Sequence, residues 1–288
     1  MEANGFREGA MRAIKTILVH AEQSDAGAEL LSQAAALAAT RDAHLVALVV
    51  GVEPTPAYAS LPDIPPEGFF VETEEARQEV ERTMGWVEQH LTRTGAGFEV
   101  RGLLSTTGEA GKRFARHARY ADVAILPRGG EDSNWQRLVH ATLLESGRPA
   151  IVCPPGSDLA AIGSRIAIAW DGGREAVRAV HECVHFAEKA EDVRIVTVDP
   201  QVSLYDHGEE PGADLAAMLA RHGLPVTVDA IPRESQSVAE AIMRHADAVG
   251  ADLIVSGAYG HWRISEIILG GVTRELLETS QKPLLMAH

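Results

Sequence analysis

Short apolar segments alternate with helical stretches along the chain, and the alternation occurs twice. The segment KTILVHAEQSDAGAELLSQAAALAA begins as a strand-length apolar run, passes through polar residues and continues as an Ala- and Leu-rich helical stretch. The segment SRIAIAWDGGREAVRAVHECVHFAEKA repeats this order, with Glu22 and Asp171 at equivalent points where the strand ends. The pattern predicts two copies of one structural unit.

Two further pairs of segments support the repeat. RHARYADVAIL, residues 116–126, corresponds to RHADAVGADLIVS, residues 244–256, and LLESGRPAIVCP corresponds to LLETSQKPLLMAH at the end of the chain. Each copy predicts five strands alternating with four helices. Because strands such as Leu253 to Val255 contain apolar residues alone, we expect a parallel sheet covered by helices on both faces, an α/β architecture.

The first copy carries a proline-rich insertion, EPTPAYASLPDIPPEGFF, from Glu53 to Phe70. Its prolines exclude a regular helix or central strand, so we expect an ordered loop or lid, followed by a charged helix from Glu72 to Thr94. The boundary between the copies is expected near Gly156 to Gly163, which predicts domains at residues 12–156 and 163–288.

Composition narrows the function classes. The net charge of −15 disfavours binding to nucleic acid or to an anionic membrane surface, because both are polyanions. No apolar run reaches the roughly 20 residues of a membrane span, and no secretory signal precedes the first strand. Cys153 and Cys183 form no CxxC pair and are expected to be buried in a reducing compartment. We therefore expect a cytoplasmic protein.

A glycine pattern near the end of the chain is the main candidate for a binding site. In GAYGHWRISEIILGG, residues 257–271, glycines flank the passage from a hydrophobic strand to a helix. Glycine permits close approach of backbone N–H groups, and a helix N-terminus carries unpaired donors and partial positive charge. The pattern therefore indicates an anion-binding loop, although the same glycines could serve only a tight turn and helix packing.

These features resemble the universal stress proteins in their tandem form, over nearly the whole chain. In the nucleotide-binding members the motif is Gly, two residues, Gly, nine residues, Gly, then Ser or Thr, and Gly257, Gly260 and Gly270 match this spacing. The resemblance implies two tandem Rossmann-like domains of the adenine nucleotide alpha hydrolase-like type, each a parallel five-stranded sheet between helices. It also implies ATP or another adenine nucleotide as ligand.

The resemblance further assigns residues to that ligand. Asp171 would contact the nucleoside, and the backbone near Val198 would flank the adenine. Phosphates would lie on the glycines and on the start of the next helix, at Gly257, Gly260, Gly270, Gly271, Val272 and Thr273. Gly271 departs from the motif because it lacks the hydroxyl, so we expect weakened rather than abolished phosphate binding. Thr273, two residues further along, could supply a substitute hydroxyl, and His261 and Arg263 could also meet a phosphate.

The first copy departs further, since Pro127 replaces the first glycine and Glu131 and Asp132 add negative charge. We expect poor phosphate binding there and one competent site in the second copy. By resemblance, Ala150 to Cys153 and Leu284 to Met286 lie where the two domains meet. The chain would then imitate the family's dimer within one molecule, and two chains could also associate as a homodimer.

Several simpler interpretations stay open. Asp171 could only cap the helix that follows it. HECVH, residues 181–185, matches the HExxH pattern of zinc peptidases but lacks a third ligand at the expected spacing, and Val177, Val180 and Val184 should turn this helix towards the sheet, so no metal is expected. No catalytic residue is predicted. We expect a regulatory nucleotide-binding protein with an unknown protein partner; the alternatives are a nucleotide-independent interaction module and a slow ATPase.

Overall fold

Each sequence copy folds as five strands alternating with four helices. A computed structural model describes residues 13–53, 66–129, 133–200, 211–260 and 271–288. The strands of the first half are β1 (Thr16–Ala21), β2 (His44–Glu53), β3 (Phe98–Thr106), β4 (Val123–Pro127) and β5 (Ala150–Cys153). Its helices are α1 (Asp25–Arg41), α2 (Pro66–Thr92), α3 (Ala110–Ala118) and α4 (Ser133–Glu145).

The second half follows the same order. Its strands are β6 (Arg165–Ala169), β7 (Asp192–Val198), β8 (Val226–Ile231), β9 (Leu253–Gly257) and β10 (Leu284–Ala287). Its helices are α5 (Arg174–Cys183), α6 (Ala213–Arg221), α7 (Val238–Ala248) and α8 (Gly271–Thr279). The predicted alternation of strands and helices is confirmed in both copies.

All ten strands belong to one continuous sheet, in the order β3-β2-β1-β4-β5-β10-β9-β6-β7-β8. Pairing is parallel within each half, and β5 and β10 join the halves as an antiparallel pair, with Ile151 opposite Leu285. The predicted meeting of the two final strands is therefore observed. The two five-stranded sheets therefore form one sheet and not two layers. β5 and β10, each of which would be an edge strand in its own half, pair with each other.

Equivalent aspartates hold the start of equivalent strands. Asp122 accepts hydrogen bonds from the backbone N–H groups of Lys15 and Thr16 at 2.8 and 3.0 Å. Asp252 accepts from those of Gly163 and Arg165 at 2.7 and 2.8 Å. Thr16 therefore corresponds to Arg165, and counting along the two strands pairs Glu22 with Asp171.

The core lies in two layers, one on each face of the sheet. In β1, Ile17 and Val19 face one layer and Leu18 faces the other, as the two-residue period of a strand requires. Helices α1, α2, α5 and α6 cover the first face with residues such as Leu31 and Val180. Helices α3, α4, α7 and α8 cover the second. The predicted arrangement of helices on both faces is confirmed.

The proline-rich insertion differs from its prediction. Helix α2 begins at Pro66, six residues before the expected start at Glu72. A proline fits the first position of a helix because its missing N–H would have no intrahelical partner there. Residues 54–65, the remainder of the proposed loop or lid, lie outside the described residues. None of the described helices is long and apolar enough to cross a bilayer.

Both cysteines are buried, as expected. Burial raises the pKa of the Cys183 thiol to about 12 and that of Cys153 further still. Because the thiolate is the reactive form, these side chains act as small core residues.

Candidate functional site

A cavity of about 590 Å³ opens at the carboxyl ends of β6, β7 and β9. Its volume lies within the roughly 300–1,000 Å³ of small-molecule sites, and its place at the strand ends is where open α/β sheets bind ligands. Seven of the eight residues predicted to contact a nucleotide line it: Asp171, Val198, Gly257, Gly260, Gly271, Val272 and Thr273. Gly270, together with His261, Trp262 and Arg263, lies outside the described residues.

The floor of the cavity is apolar. It is formed where β6 and β7 end and where α7 passes over them, by Ala169, Val196, Val198, Val238 and Ile242. An apolar floor with a few polar groups at the rim suits a flat, weakly polar ring such as a purine.

Asp171 lies two residues beyond the end of β6 and is exposed at the rim. Its Oδ1 accepts a hydrogen bond of 2.8 Å from the N–H of Gly173, the N-cap residue of α5, which has no capping side chain of its own. Asp171 therefore shapes the turn that starts the helix. The simpler interpretation of Asp171 as the cap of α5 is therefore wrong, because Gly173 is the N-cap and Asp171 holds the turn before it. Asp171 also lines the cavity.

The three described glycines of the motif have different surroundings. A Cβ built on Gly257 would lie 2.5 Å from the backbone N of Ala176, so the close packing of α5 on the end of β9 requires glycine there. A Cβ on Gly260 would lie 3.1 Å from Glu175 Oε2. Gly271 has no heavy atom of the described residues within 4 Å of its built Cβ. Packing thus accounts for Gly257 but not for Gly271.

The Thr273 hydroxyl has a structural partner. The N–H of Tyr259 donates to Thr273 Oγ1 at 3.2 Å, and Tyr259 has a φ of 61°, which is uncommon outside glycine. The bond therefore stabilises the left-handed backbone that lies between Gly257 and Gly260. Thr273 lines the cavity but is 6% exposed, so its oxygen serves the loop first.

Three helix N-termini line the cavity, those of α5, α7 and α8. Helix α8 presents Gly271, Val272 and Thr273, and its first turn carries no acidic residue. Helix α5 presents Glu175, an acidic residue in its first turn whose side chain is 7% exposed. Helix α7 begins at the lining residue Val238, and its first turn holds Glu240 in a capping box with Ser237. Of the three helix ends in the described lining, α8 is therefore the one without an acidic residue in its first turn.

Two acidic residues of the cavity, Glu175 and Asp199, were not predicted from the sequence. Asp199 follows β7 with a φ of 44° and pairs with Arg233, with 3.0 Å between Nε and Oδ2. In the sequence, Glu175 looks like an ordinary first-turn glutamate, and only the approach of β9 shows that it faces the glycine motif.

The first half holds bulkier side chains at the equivalent positions. His20 corresponds to Ala169 by the count from Thr16 and Arg165, and Phe114 corresponds to Ile242 by the shared Arg-His-Ala sequence. The rings of His20 and Phe114 contact each other with their centroids 5.9 Å apart. Pro127 ends β4 where Gly257 ends β9, as predicted. Glu131 and Asp132 lie outside the described residues.

The HExxH segment does not form a metal site in the described residues. Helix α5 ends at Cys183, so His185 lies beyond it, and Glu182 pairs with Arg178 at 2.8 Å. The prediction that Val177 packs against the sheet is wrong, since it is 39% exposed, whereas Val180 is buried.

Comparison with known proteins finds a family match in the second half. Residues 164–288 match the model of the universal stress protein family. The C-terminal half of the chain is thus similar to this family. This half contains the glycine motif and the cavity described above.

Individual relatives agree with this assignment. Universal stress protein MJ0577 of Methanocaldococcus jannaschii is 38% identical over 47 residues, which are 16% of this chain and 29% of that protein. The match thus spans less than a third of the relative's length.

Similarity of fold covers both halves. A universal stress protein from Archaeoglobus fulgidus superposes with a TM-score of 0.71 at 16% identity, covering 94% of this chain and 97% of that one. Protein PA1789 of Pseudomonas aeruginosa, described as functionally unknown, gives 0.57 at 14% identity and covers 96% and 92% of the two chains. These likenesses show the fold of the whole chain as a tandem Rossmann-like α/β protein.

Proposed function

We propose that the C-terminal cavity binds an adenine nucleotide and that the protein acts as a regulatory binding protein. The observation that carries the proposal is the convergence of seven predicted contact residues, from four separate segments, on one cavity. Their order around it is chemically consistent, with an apolar floor for a base, Asp171 at the rim and the α8 N-terminus for a phosphate.

The two predicted domains, residues 12–156 and 163–288, would differ in this function. In the N-terminal unit, His20 and Phe114 stand where the C-terminal unit has Ala169 and Ile242, so the room for a base is reduced. One nucleotide per chain would then bias the protein towards the conformation that binds it better. A cytoplasmic location and an unidentified protein partner remain part of this proposal.

The proposal is tested by calorimetric titration of the full chain with adenosine, AMP and ATP. Wild type should bind at least one of them, and Ile242→Phe, which places the ring of the first half in the cavity, should weaken that binding at least tenfold. Ile242→Leu is the matched control because it keeps the side-chain volume. Absence of binding by folded wild-type protein at millimolar ligand would refute the nucleotide role.

A nucleotide-independent interaction module is the second candidate. The packing of Gly257 against the α5 backbone favours it, because this glycine is required by the fold whether or not a ligand binds. It predicts that a partner protein is retained equally with and without nucleotide.

A further inference from the structure

Glu175 is a buried carboxylate that faces the glycine motif. Its Oε2 lies 3.1 Å from the position of a Cβ on Gly260, and its Cβ lies 3.0 Å from that of a Cβ on Gly257. The two glycines are the residues on which a nucleotide's phosphates are expected to lie. A phosphate placed there would therefore be a close neighbour of this carboxylate.

The carboxylate is ionised at neutral pH. Burial by itself would raise the pKa of Glu175, but the hydrogen bond from Arg174 and one from its own backbone N–H outweigh this and hold the pKa below its usual value. Arg174 Nε donates to Oε1 at 2.5 Å, while the Arg174 side chain is 82% exposed. Its positive charge is thus screened by solvent and neutralises the buried carboxylate only in part.

The described cavity lining contains two further carboxylates and no positive side chain. Asp171 and Asp199 line it together with Glu175, Asp199 is paired with Arg233, and no lysine, arginine or histidine is found among the described lining residues. Glu175 also neutralises the partial positive charge of the α5 N-terminus, and Glu240 of the capping box does so at the α7 N-terminus. Helix α8 is thus the helix end in the described lining that has no first-turn carboxylate and can receive a phosphate. Repulsion grows with each phosphate that a ligand carries.

We propose that Glu175 determines the ligand class of this cavity, favouring adenine ligands with one phosphate or none over the triphosphate. This inference rests on the proposed function and specifies it. In this proposal the α8 N-terminus binds a single phosphate. The Glu175 carboxylate, which faces Gly260, repels the further phosphates of a longer chain.

The test measures the affinities of adenosine, AMP and ATP for the full chain in buffer with EDTA. Wild type should bind adenosine or AMP at least tenfold more tightly than ATP. Glu175→Gln, which keeps the shape and removes the charge, should raise the ratio of ATP to adenosine affinity at least fivefold. The matched control is Glu182→Gln on the same helix, whose carboxylate pairs with Arg178 and does not line the cavity; its ratio should equal that of wild type.

A second variant guards against misfolding of the first. Arg174→Gln changes an exposed side chain and leaves the Glu175 carboxylate uncompensated, so the ATP-to-adenosine ratio should fall rather than rise. Opposite shifts from these two neighbouring variants would support an electrostatic role, whereas shifts of the same sign would overturn it.

Other outcomes are equally decisive. If the three ligands bind wild type with equal affinity and Glu175→Gln changes nothing, the nucleotide function stands and the role of Glu175 is refuted. If Mg²⁺ restores ATP binding to wild type but not to Glu175→Gln, Glu175 is a cation ligand and the proposal is also refuted. If no ligand binds at all, the proposed function itself fails.

Discussion

The glycines of the motif serve different physical purposes although their spacing is a single sequence signal. At Gly257 the backbone of α5 occupies the space that a side chain would need. At Gly271 that space is open. A family motif therefore combines a packing requirement with a binding requirement, and substitution can separate the two.

This separation gives a residue-scale prediction. Gly257→Ala should lower the free energy of unfolding by about 1–3 kcal/mol, because the new methyl group overlaps backbone atoms that cannot move independently. Gly271→Ala should stay within about 1 kcal/mol of wild type, since a helical glycine in open space accepts alanine. Urea denaturation of both variants checks this. Equal losses at the two positions would contradict the packing account.

Single residues also show where sequence reasoning reaches its limit. Asp171 and Gly257 were identifiable because Asp171 lies two residues beyond the apolar strand β6 and Gly257 is the last residue of β9, so their place at the strand ends follows from the chain itself. Glu175 was missed, because its importance arises from the end of β9, more than 80 positions away in the sequence. Nor could the sequence show that Thr273 Oγ1 accepts the N–H of Tyr259.

At the scale of elements, the N-terminus of α8 is where a single substitution is expected to raise the affinity for phosphate most. It begins at Gly271, where the family motif has a hydroxyl residue. The backbone donors are present, but no side chain at this position adds to them.

Restoring the hydroxyl should strengthen phosphate binding. Gly271→Ser should raise the affinity for AMP by roughly fivefold or more. A hydrogen bond to a charged group contributes about 1.5–3 kcal/mol at best, and part of that is lost because the serine side chain must be ordered. Adenosine, which has no phosphate, is the internal control and should be unaffected. Titration calorimetry distinguishes this from a general effect: equal gains for both ligands would contradict a phosphate contact.

The elements themselves were largely predictable. Apolar runs such as Leu253 to Val255 are short, contain no charge and are separated by helical stretches, which leaves few alternatives to buried parallel strands. Errors occurred at element ends, where Pro66 begins a helix that its neighbouring prolines appeared to forbid, and where α5 stops at Cys183. Both errors reflect end effects that a periodic pattern does not contain.

At the scale of the whole molecule, the two halves share one fold but differ in what fills the space at the strand ends. The strand order was not predicted from the sequence and is seen in the structure. The single ten-stranded sheet follows from the pairing of β5 with β10, the two strands that the family resemblance placed where the halves meet.

His20, which fills this space in the first half, should make the free energy of unfolding depend on pH. Burial lowers the pKa of His20, with Glu22 opposing it, and Nδ1 of His20 has no hydrogen-bond partner among the described residues. Because the unfolded histidine takes up a proton near its usual pKa of about 6.5 and the folded one resists it, stability should fall as pH drops through this value. His20→Ala, which copies Ala169 of the other half, should reduce the loss of unfolding free energy between pH 7.5 and 5.5.

The control for this prediction is Phe114→Leu, which disturbs the same ring contact without removing a titratable group and should keep the pH dependence. His117 and His140 also have a pKa lowered mainly by burial, so part of the acid sensitivity should remain in His20→Ala. An unchanged pH dependence in His20→Ala, measured by urea denaturation at both pH values, would contradict the assignment.

The most direct test of the account counts adenine ligands on the intact chain by native mass spectrometry with AMP. One bound molecule per chain, lost in Ile242→Phe and kept in Ile242→Leu, is the predicted result. Two bound molecules per chain, or one that persists when Ile242→Phe fills the C-terminal cavity, would contradict a single site at the ends of β6, β7 and β9.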